Sequence, residues 1–232
     1  MGNCCGVRNS TPPAGVGEVY VTPTEAFSRI YDDSLWGSQP NHAGSTSRSG
    51  VGSTLELTNY ARAGMDEIIT KYQPVHFLDV ACGESDWLRP VITKHDETMS
   101  YTGADVVVSV IQHQRASWPK NLWCVLDVCE DFISTYDMIL CRDCFVHLPF
   151  NLIFQALSNL KSSGSKYLVM TTFPKIPEGN NDIKIGGWRR LDFTASPFNL
   201  PQPIMIVNEC GPKLPNPQDK SLGVWTLNDL RC

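Results

Sequence analysis

From Pro74 to Phe173, short apolar runs alternate with stretches of helical periodicity. VHFLDV (75–80), SYTGADVV (100–107), LWCVLDV (122–128), YDMILCRD (136–143) and KYLVMTTF (166–173) read as five strands. Between them, DWLRPVITKH, SVIQHQRAS and FNLIFQALSNLKSSG read as helices. The first has a kink or late start at Pro90, and the last stops at Gly164 as a helix C-terminus should. Apolar strands spaced by helices indicate a parallel sheet covered on both faces.

The flanks follow other rules. Residues 1–24 carry Gly, Pro, Thr and Val with little periodicity and predict a flexible tail. TEAFSRIYDDSLWG (24–37) predicts a short helix ending at Gly37, followed by a Ser/Gly loop that a ligand would order. STLELTNYARAGMDEIITKY (53–72) predicts a helix with Ser53 as N-cap and Leu57, Ala61, Met65, Ile68 and Ile69 on one face. No helix is expected from Lys175 to Pro203. IMIVNEC (204–210) and SLGVWTLNDL (221–230) read as strands whose connection is too short for a helical crossover, so they must pair antiparallel. The expected fold class is α/β and Rossmann-like: a mostly parallel central sheet, helices on both faces and a C-terminal antiparallel hairpin. Residues 25–232 form one domain in this reading, with a helical and loop extension at its N-terminal side.

Composition narrows the setting. The 232 residues are 42% hydrophobic and 19% charged, with a net charge of −5, as expected of an ordinary globular domain. No long basic run suggests nucleic acid as the main partner. The nine cysteines are odd in number, and Cys124, Cys129, Cys141 and Cys144 sit in apolar runs, which predicts free buried thiols in a reducing, cytoplasmic compartment. MGNCCG places Gly2 where N-myristoylation occurs, with Cys4 and Cys5 open to palmitoylation, although Gly6 replaces the usual Ser or Thr. Two readings follow: a dually lipidated anchor holding the protein on the cytosolic face of a membrane, or a tail with two incidental thiols.

Four of the strands carry an acid at or near the carboxyl end: Asp79, Asp105, Asp127 and Asp143. Ligands of open parallel sheets bind there. Each acid alone also suits an N-cap of the next helix. Four on one rim repel one another unless a cationic or donor-rich ligand joins them, and a positively charged nucleoside has that character. A dinucleotide site wants G-x-G-x-x-G, whereas Gly83 is the only glycine between Asp79 and Trp87, and Glu84 and Asp86 would repel phosphate. Hydride transfer is therefore disfavoured.

FLDVACGESDW, YTGADVV, LDV and YDMILCRDCFVHL, in this order and with the final hairpin, resemble class I S-adenosylmethionine-dependent methyltransferases over about residues 53–230. The resemblance is closest to a branch with a WG…SRSG.GS segment before the domain and N.DI..G.WR…PFNLP after the fifth strand. It implies S-adenosyl-L-methionine as cofactor. Asp79, Ala81 and Gly83 match the first cofactor motif, where the acid helps hold the ammonium group. Asp105 matches the acid that binds ribose, Asp127 follows the strand near adenine, and Cys141, Arg142 and Asp143 end the strand near the methyl group. The common first motif has more glycines than Ala81-Cys82-Gly83-Glu84-Ser85, which implies a tighter cradle.

Asp143 and His147 are the catalytic candidates. Four residues apart, they share a face if a helix starts at Asp143, and His147 then has a proton-accepting role, against the alternative of a structural or capping histidine. Cys141, Cys144 and His147 have the spacing Cys-x2-Cys-x2-His, which lacks a fourth ligand, so no metal is expected. Arg48 suits a cofactor carboxylate, by a bidentate fork, or a flexible linker. Asp182, Trp188 and Arg189 are the candidate substrate wall, with Trp188 equally suited to plug the sheet edge. The methyl acceptor, small molecule or peptide, is left open. The competing function is a non-catalytic cofactor-binding or scaffold protein on the same fold.

Overall fold

A capping box opens the first helix. The Thr22 hydroxyl accepts from the Glu25 N–H at 3.2 Å, the Glu25 carboxylate accepts from the Thr22 N–H at 2.9 Å, and Pro23 holds the first helical position. This helix, α1 (Pro23–Asp32), is the first element of a computed structural model that describes residues 22–37, 39–40, 46–211 and 219–230. The lipidation expectation at Gly2, Cys4 and Cys5 lies outside the described residues. α1 stops short of the expected Gly37 because Ser34 enters the left-handed region at φ 50°. The next helix also departs from expectation. Ser53 belongs to a 3-10 turn (Val51–Ser53), where its hydroxyl donates to the Gly50 carbonyl at 2.7 Å, and α2 (Asn59–Tyr72) begins only after Thr58.

The alternating middle holds β1 (His76–Val80), α3 (Arg89–His95), β2 (Ser100–Asp105), α4 (Val108–Ser117), β3 (Leu122–Val125), β4 (Met138–Cys141), α5 (Phe150–Ser162) and β5 (Tyr167–Thr172). β3 ends before Asp127 because that carboxylate accepts from the Cys129 N–H at 2.9 Å and turns the chain. β4 ends before Asp143, which sits at φ 54°. The helix expected to start there is a single 3-10 turn, Phe145–His147, before α5. β6 (Met205–Asn208) and β7 (Ser221–Thr226) form the predicted antiparallel hairpin.

The seven strands lie in the order β3-β2-β1-β4-β5-β7-β6. β1 to β5 are parallel, and β7 is antiparallel to both β5 and β6. Strand alternation divides the core between two faces. Leu78, Val80, Ile139, Leu168 and Met170 meet Ile153, Ala156, Leu157 and Leu160 of α5. Phe77, Met138, Leu140 and Val169 meet Met65, Ile68 and Ile69 of α2 with Val91 and Ile92 of α3. Apart from Ala156, each of these buried side chains contributes about 1.5–3 kcal/mol of transfer free energy. The chain order reverses between β1 and β4, which creates a switch-point crevice at the strands' carboxyl ends. No described helix is long and apolar enough to cross a membrane.

Candidate functional site

A cavity of about 490 Å³ opens at this switch point. Its floor is built from the turns that follow β1, β2, β3 and β4, and its far wall from α1, Trp36 and residues 49–53. Sites of this size and position suit a small molecule or nucleoside.

The turn after β1 is the tightest part. Ala81, Gly83 and Ser85 all take positive φ, at 58°, 54° and 48°. A Cβ on Gly83 would stand 2.8 Å from Ser49 Oγ and 2.9 Å from the Tyr31 hydroxyl, so only glycine fits. Asp105, at the end of β2, holds this turn in place. One of its oxygens accepts from the Gly83 N–H at 2.9 Å and the other from the Val107 N–H at 2.9 Å. Burial raises its carboxyl above the ordinary range, and those two N–H donors oppose the rise. Asp127 behaves similarly: burial pushes it up and the Cys129 N–H pulls it back. Both acids line the cavity, and neither makes an ion pair among the described residues.

A strap from the N-terminal side closes over the turn. Ser49 Oγ lies 2.8 Å from the Tyr31 hydroxyl and accepts from the Glu84 N–H at 3.1 Å. Glu84 in turn accepts from the Arg48 N–H at 2.9 Å and from Arg48 Nε at 3.2 Å. Arg48 is thus engaged by Glu84 and does not line the cavity.

At the other end of the cavity stands a buried charge network. Arg142 Nε and Nη2 both donate to Glu209, at 2.9 and 2.7 Å, and its guanidinium lies 4.5 Å over the Trp87 ring. Arg142 Nη1 is 3.2 Å from Asp143, and Lys220 Nζ donates to the same Asp143 oxygen at 2.5 Å. Burial alone would raise the Asp143 carboxyl, but the Arg142 and Lys220 charges outweigh it and hold the group well below the carboxylate range. Asp143 is therefore a fixed anion and does not exchange protons near neutral pH.

His147 lines the same end. Its Nδ1 lies 2.7 Å from the Gly187 carbonyl, which only accepts, so Nδ1 carries the proton and Nε2 keeps the lone pair. Burial lowers its pKa below the usual imidazole value, against the opposing pull of Gly187 and Asp143. The Trp36 ring covers it at 4.7 Å between centroids, tilted by 33°.

The predicted residues divide cleanly. Ala81, Gly83, Asp105, Asp127, Arg142, Asp143, His147 and Trp188 line the cavity. Asp79, Cys141, Arg48, Asp182 and Arg189 are not on its wall. Asp79 shares a sheet face with Phe77, so alternation turns it into the helix-covered layer, where it accepts from the Tyr101 hydroxyl at 2.8 Å. Cys141 is buried in the core of the opposite face. Asp182 accepts from the Phe150 N–H at 2.8 Å and caps α5. Arg189 donates to the Phe145 and Leu148 carbonyls at 2.5 Å each and clamps the 3-10 turn that carries His147. Sequence reasoning missed Tyr31, Trp36, Trp87, Glu209 and Lys220 as parts of the site; Ser49 belongs to the Ser/Gly loop expected to be ordered by a ligand, and Glu84 to the turn expected to repel phosphate. Cys82, Cys129, Cys141 and Cys144 are buried free thiols and Cys124 is half-buried. Among the described residues, no group of three His, Cys, Asp or Glu is placed to hold a metal ion.

Asp79 makes stability depend on pH. Burial pushes its carboxyl up to about 7, the nearby Asp105 charge adds to this, and the Tyr101 hydroxyl and Arg142 oppose it. Between about pH 4 and pH 7 the folded protein keeps a proton that the unfolded chain has lost. Stability from this group is complete below the unfolded value and falls by up to about 4 kcal/mol as pH rises through 7. Asp79→Asn is expected to flatten that fall in denaturant titrations across this window. An equal slope in both proteins would contradict the assignment.

No protein-family model and no curated protein matches the sequence. Solved structures do match. One comes from work on the conversion of a disulfide bond into a thioacetal group during echinomycin biosynthesis: TM-score 0.58, 13% identity, covering 88% of this chain and 92% of that one. PigF with SAH gives 0.55 at 13% identity, covering 74% and 56%. A candidate O-methyltransferase of Nostoc punctiforme PCC 73102 gives 0.54 at 12% identity, covering 73% and 56%. The chain thus spans little more than half the length of the latter two. Together with the strand order, these likenesses establish a Rossmann-like methyltransferase fold.

Proposed function

We propose that this protein is an S-adenosylmethionine-dependent methyltransferase. The observation that carries the reading is the pair of acids, Asp105 and Asp127, that line the cavity beside the Gly83 turn without an ion-pair partner among the described residues. A cationic nucleoside rich in N–H and O–H donors fits this end, and a pyrophosphate does not. Asp105 would accept from ribose hydroxyls, Asp127 from the adenine amino group, and the Ala81–Gly83 backbone would pass beside the amino-acid part. The bound cofactor supplies an electrophilic methyl group on a sulfonium whose leaving group is neutral. The chain itself must orient the acceptor, exclude water and take up a proton. His147 Nε2 is the proton acceptor, because Gly187 fixes its tautomer and burial keeps it neutral.

Calorimetric titration tests the reading. S-adenosylmethionine and S-adenosylhomocysteine are expected to bind and NADH is not. Asp105→Ala is expected to weaken cofactor binding by about 1–3 kcal/mol, the cost of leaving buried donors without a partner. Unchanged affinity in that variant would refute the ribose role, and binding of NADH alone would refute the transferase.

A further inference from the structure

We infer that the acceptor is a neutral phenol: a planar aromatic ring that stacks at Trp188 and presents a hydroxyl to His147 Nε2. The inference rests on the methyltransferase reading and names the substrate class of its second subsite.

Charge decides first. At the His147 end of the cavity, Arg142 and Lys220 are matched by Asp143 and Glu209, with contacts of 2.7, 3.2, 2.5 and 3.5 Å. A protonated amine would need a carboxylate without a cation, and a carboxylate or phosphate would need a cation without an acid. Among the described residues on the wall of this end there is neither; Arg189 makes no ion pair, but it stands off the wall with its guanidinium donating to the Asn181, Phe145 and Leu148 carbonyls. The unmatched acids, Asp105 and Asp127, lie at the other end and are taken by the cofactor in the proposed function. The acceptor subsite therefore suits an uncharged molecule.

Proton chemistry decides next. A neutral hydroxyl acceptor carries its nucleophilic oxygen protonated, and His147 holds its lone pair at Nε2. An imidazole is strong enough to take the proton of a phenol, whose ordinary pKa is about 10, as the methyl group arrives. An aliphatic alcohol is a weaker acid, and the same base takes its proton less readily. In the transfer the O–H bond breaks and its proton goes to Nε2. The oxygen's electron pair forms the new O–CH3 bond. The S–CH3 bond of the cofactor breaks with its pair left on sulfur, which yields a neutral thioether.

Shape decides last. Trp188 lines the cavity yet is 55% exposed, with its ring edge-on to Phe173 at 6.3 Å. It follows Gly187, the residue that holds His147, so the indole face and the base are fixed by one loop. Trp36, already packed on His147, supplies a second aromatic wall. A half-exposed indole beside a positioned base is a stacking surface for a flat ring.

Four probes of similar size test this on the full chain: 4-methylphenol, 4-methylbenzylamine, 4-methylbenzoate and 4-methylcyclohexanol, titrated calorimetrically with S-adenosylhomocysteine present and, separately, without it. 4-Methylphenol is expected to bind about tenfold or more tightly than each of the others. Trp188→Ala is expected to weaken its binding about five- to tenfold, and Trp188→Phe to restore most of that loss. Equal or tighter binding of the amine, the acid or the alcohol, or an unchanged affinity in Trp188→Ala, overturns the phenol subsite. A chain that binds the cofactor without selecting the phenol keeps the transferase and loses this inference. One that selects the phenol but binds no cofactor keeps the subsite and loses the transferase.

Discussion

Replacing His147 with alanine is expected to slow methyl transfer by about 10²–10⁴-fold, the range for a positioned general base, with cofactor affinity essentially kept. The effect is large because three separate features fix this imidazole. The Gly187 carbonyl selects the tautomer at 2.7 Å. Trp36 covers one face of the ring. Arg189 ties the Phe145 and Leu148 carbonyls, and with them the turn that carries the histidine. Burial lowers its pKa, so the base is free of its proton at pH values where an ordinary imidazole has begun to protonate. The wild-type rate should therefore rise with pH and level off below the usual histidine range, and the variant should lose that limb. Single-turnover rates across pH, with calorimetry for the cofactor, check both parts. A wild-type rate in the variant would make His147 a structural residue.

The second large effect concerns folding. Glu209→Ala is expected to cost about 3–5 kcal/mol, because it leaves the Arg142 guanidinium buried without its main partner. Both residues are buried, and Arg142 gives Glu209 two of its N–H donors. Its other contacts, the Gly52 carbonyl at 3.2 Å and Asp143 at 3.2 Å, cannot replace that carboxylate, since Asp143 is shared with Lys220. The Arg190–Glu178 pair makes an internal control. It lies on the surface, with Glu178 half exposed, and its loss is expected to leave stability almost unchanged. Urea unfolding of Glu209→Ala and Glu178→Ala compares the two. Equal losses would show that the buried network contributes nothing special.

The sheet was legible because its physics is local. Five short apolar runs and the helices between them announce parallel strands, and the acid that closes four of the runs marks the rim. Asp105 and Asp127 follow from that pattern. Asp79 does not, because it is the fourth residue of a five-residue strand, and alternation puts it on the Phe77 face, away from the mouth. Glu209 and Lys220 had no sequence signal either. They reach Arg142 and Asp143 across 67 and 77 residues, only because β7 inserts between β5 and β6. A hairpin can be read from spacing, but which of its strands meets the parallel sheet cannot. The strap was legible only in part: the Ser/Gly-rich loop that holds Ser49 was expected to be ordered by a ligand, but Tyr31 and Trp36 carry no periodic signal for the site, and their positions are set by what they cover.

That strap has a consequence for how the molecule divides its labour. Every strand of the sheet comes after Tyr72, whereas Tyr31 and Ser49, which roof the Gly83 turn, and Trp36, which covers His147, come before α2. The scaffold and the cover are thus encoded in separate stretches of chain. A truncated protein beginning near residue 55 is expected to keep every strand of the sheet and to lose the roof together with the Gly52 carbonyl that accepts from Arg142. Residence time in the crevice can therefore be tuned by changes upstream of the scaffold, with no alteration to the strands that carry the acids.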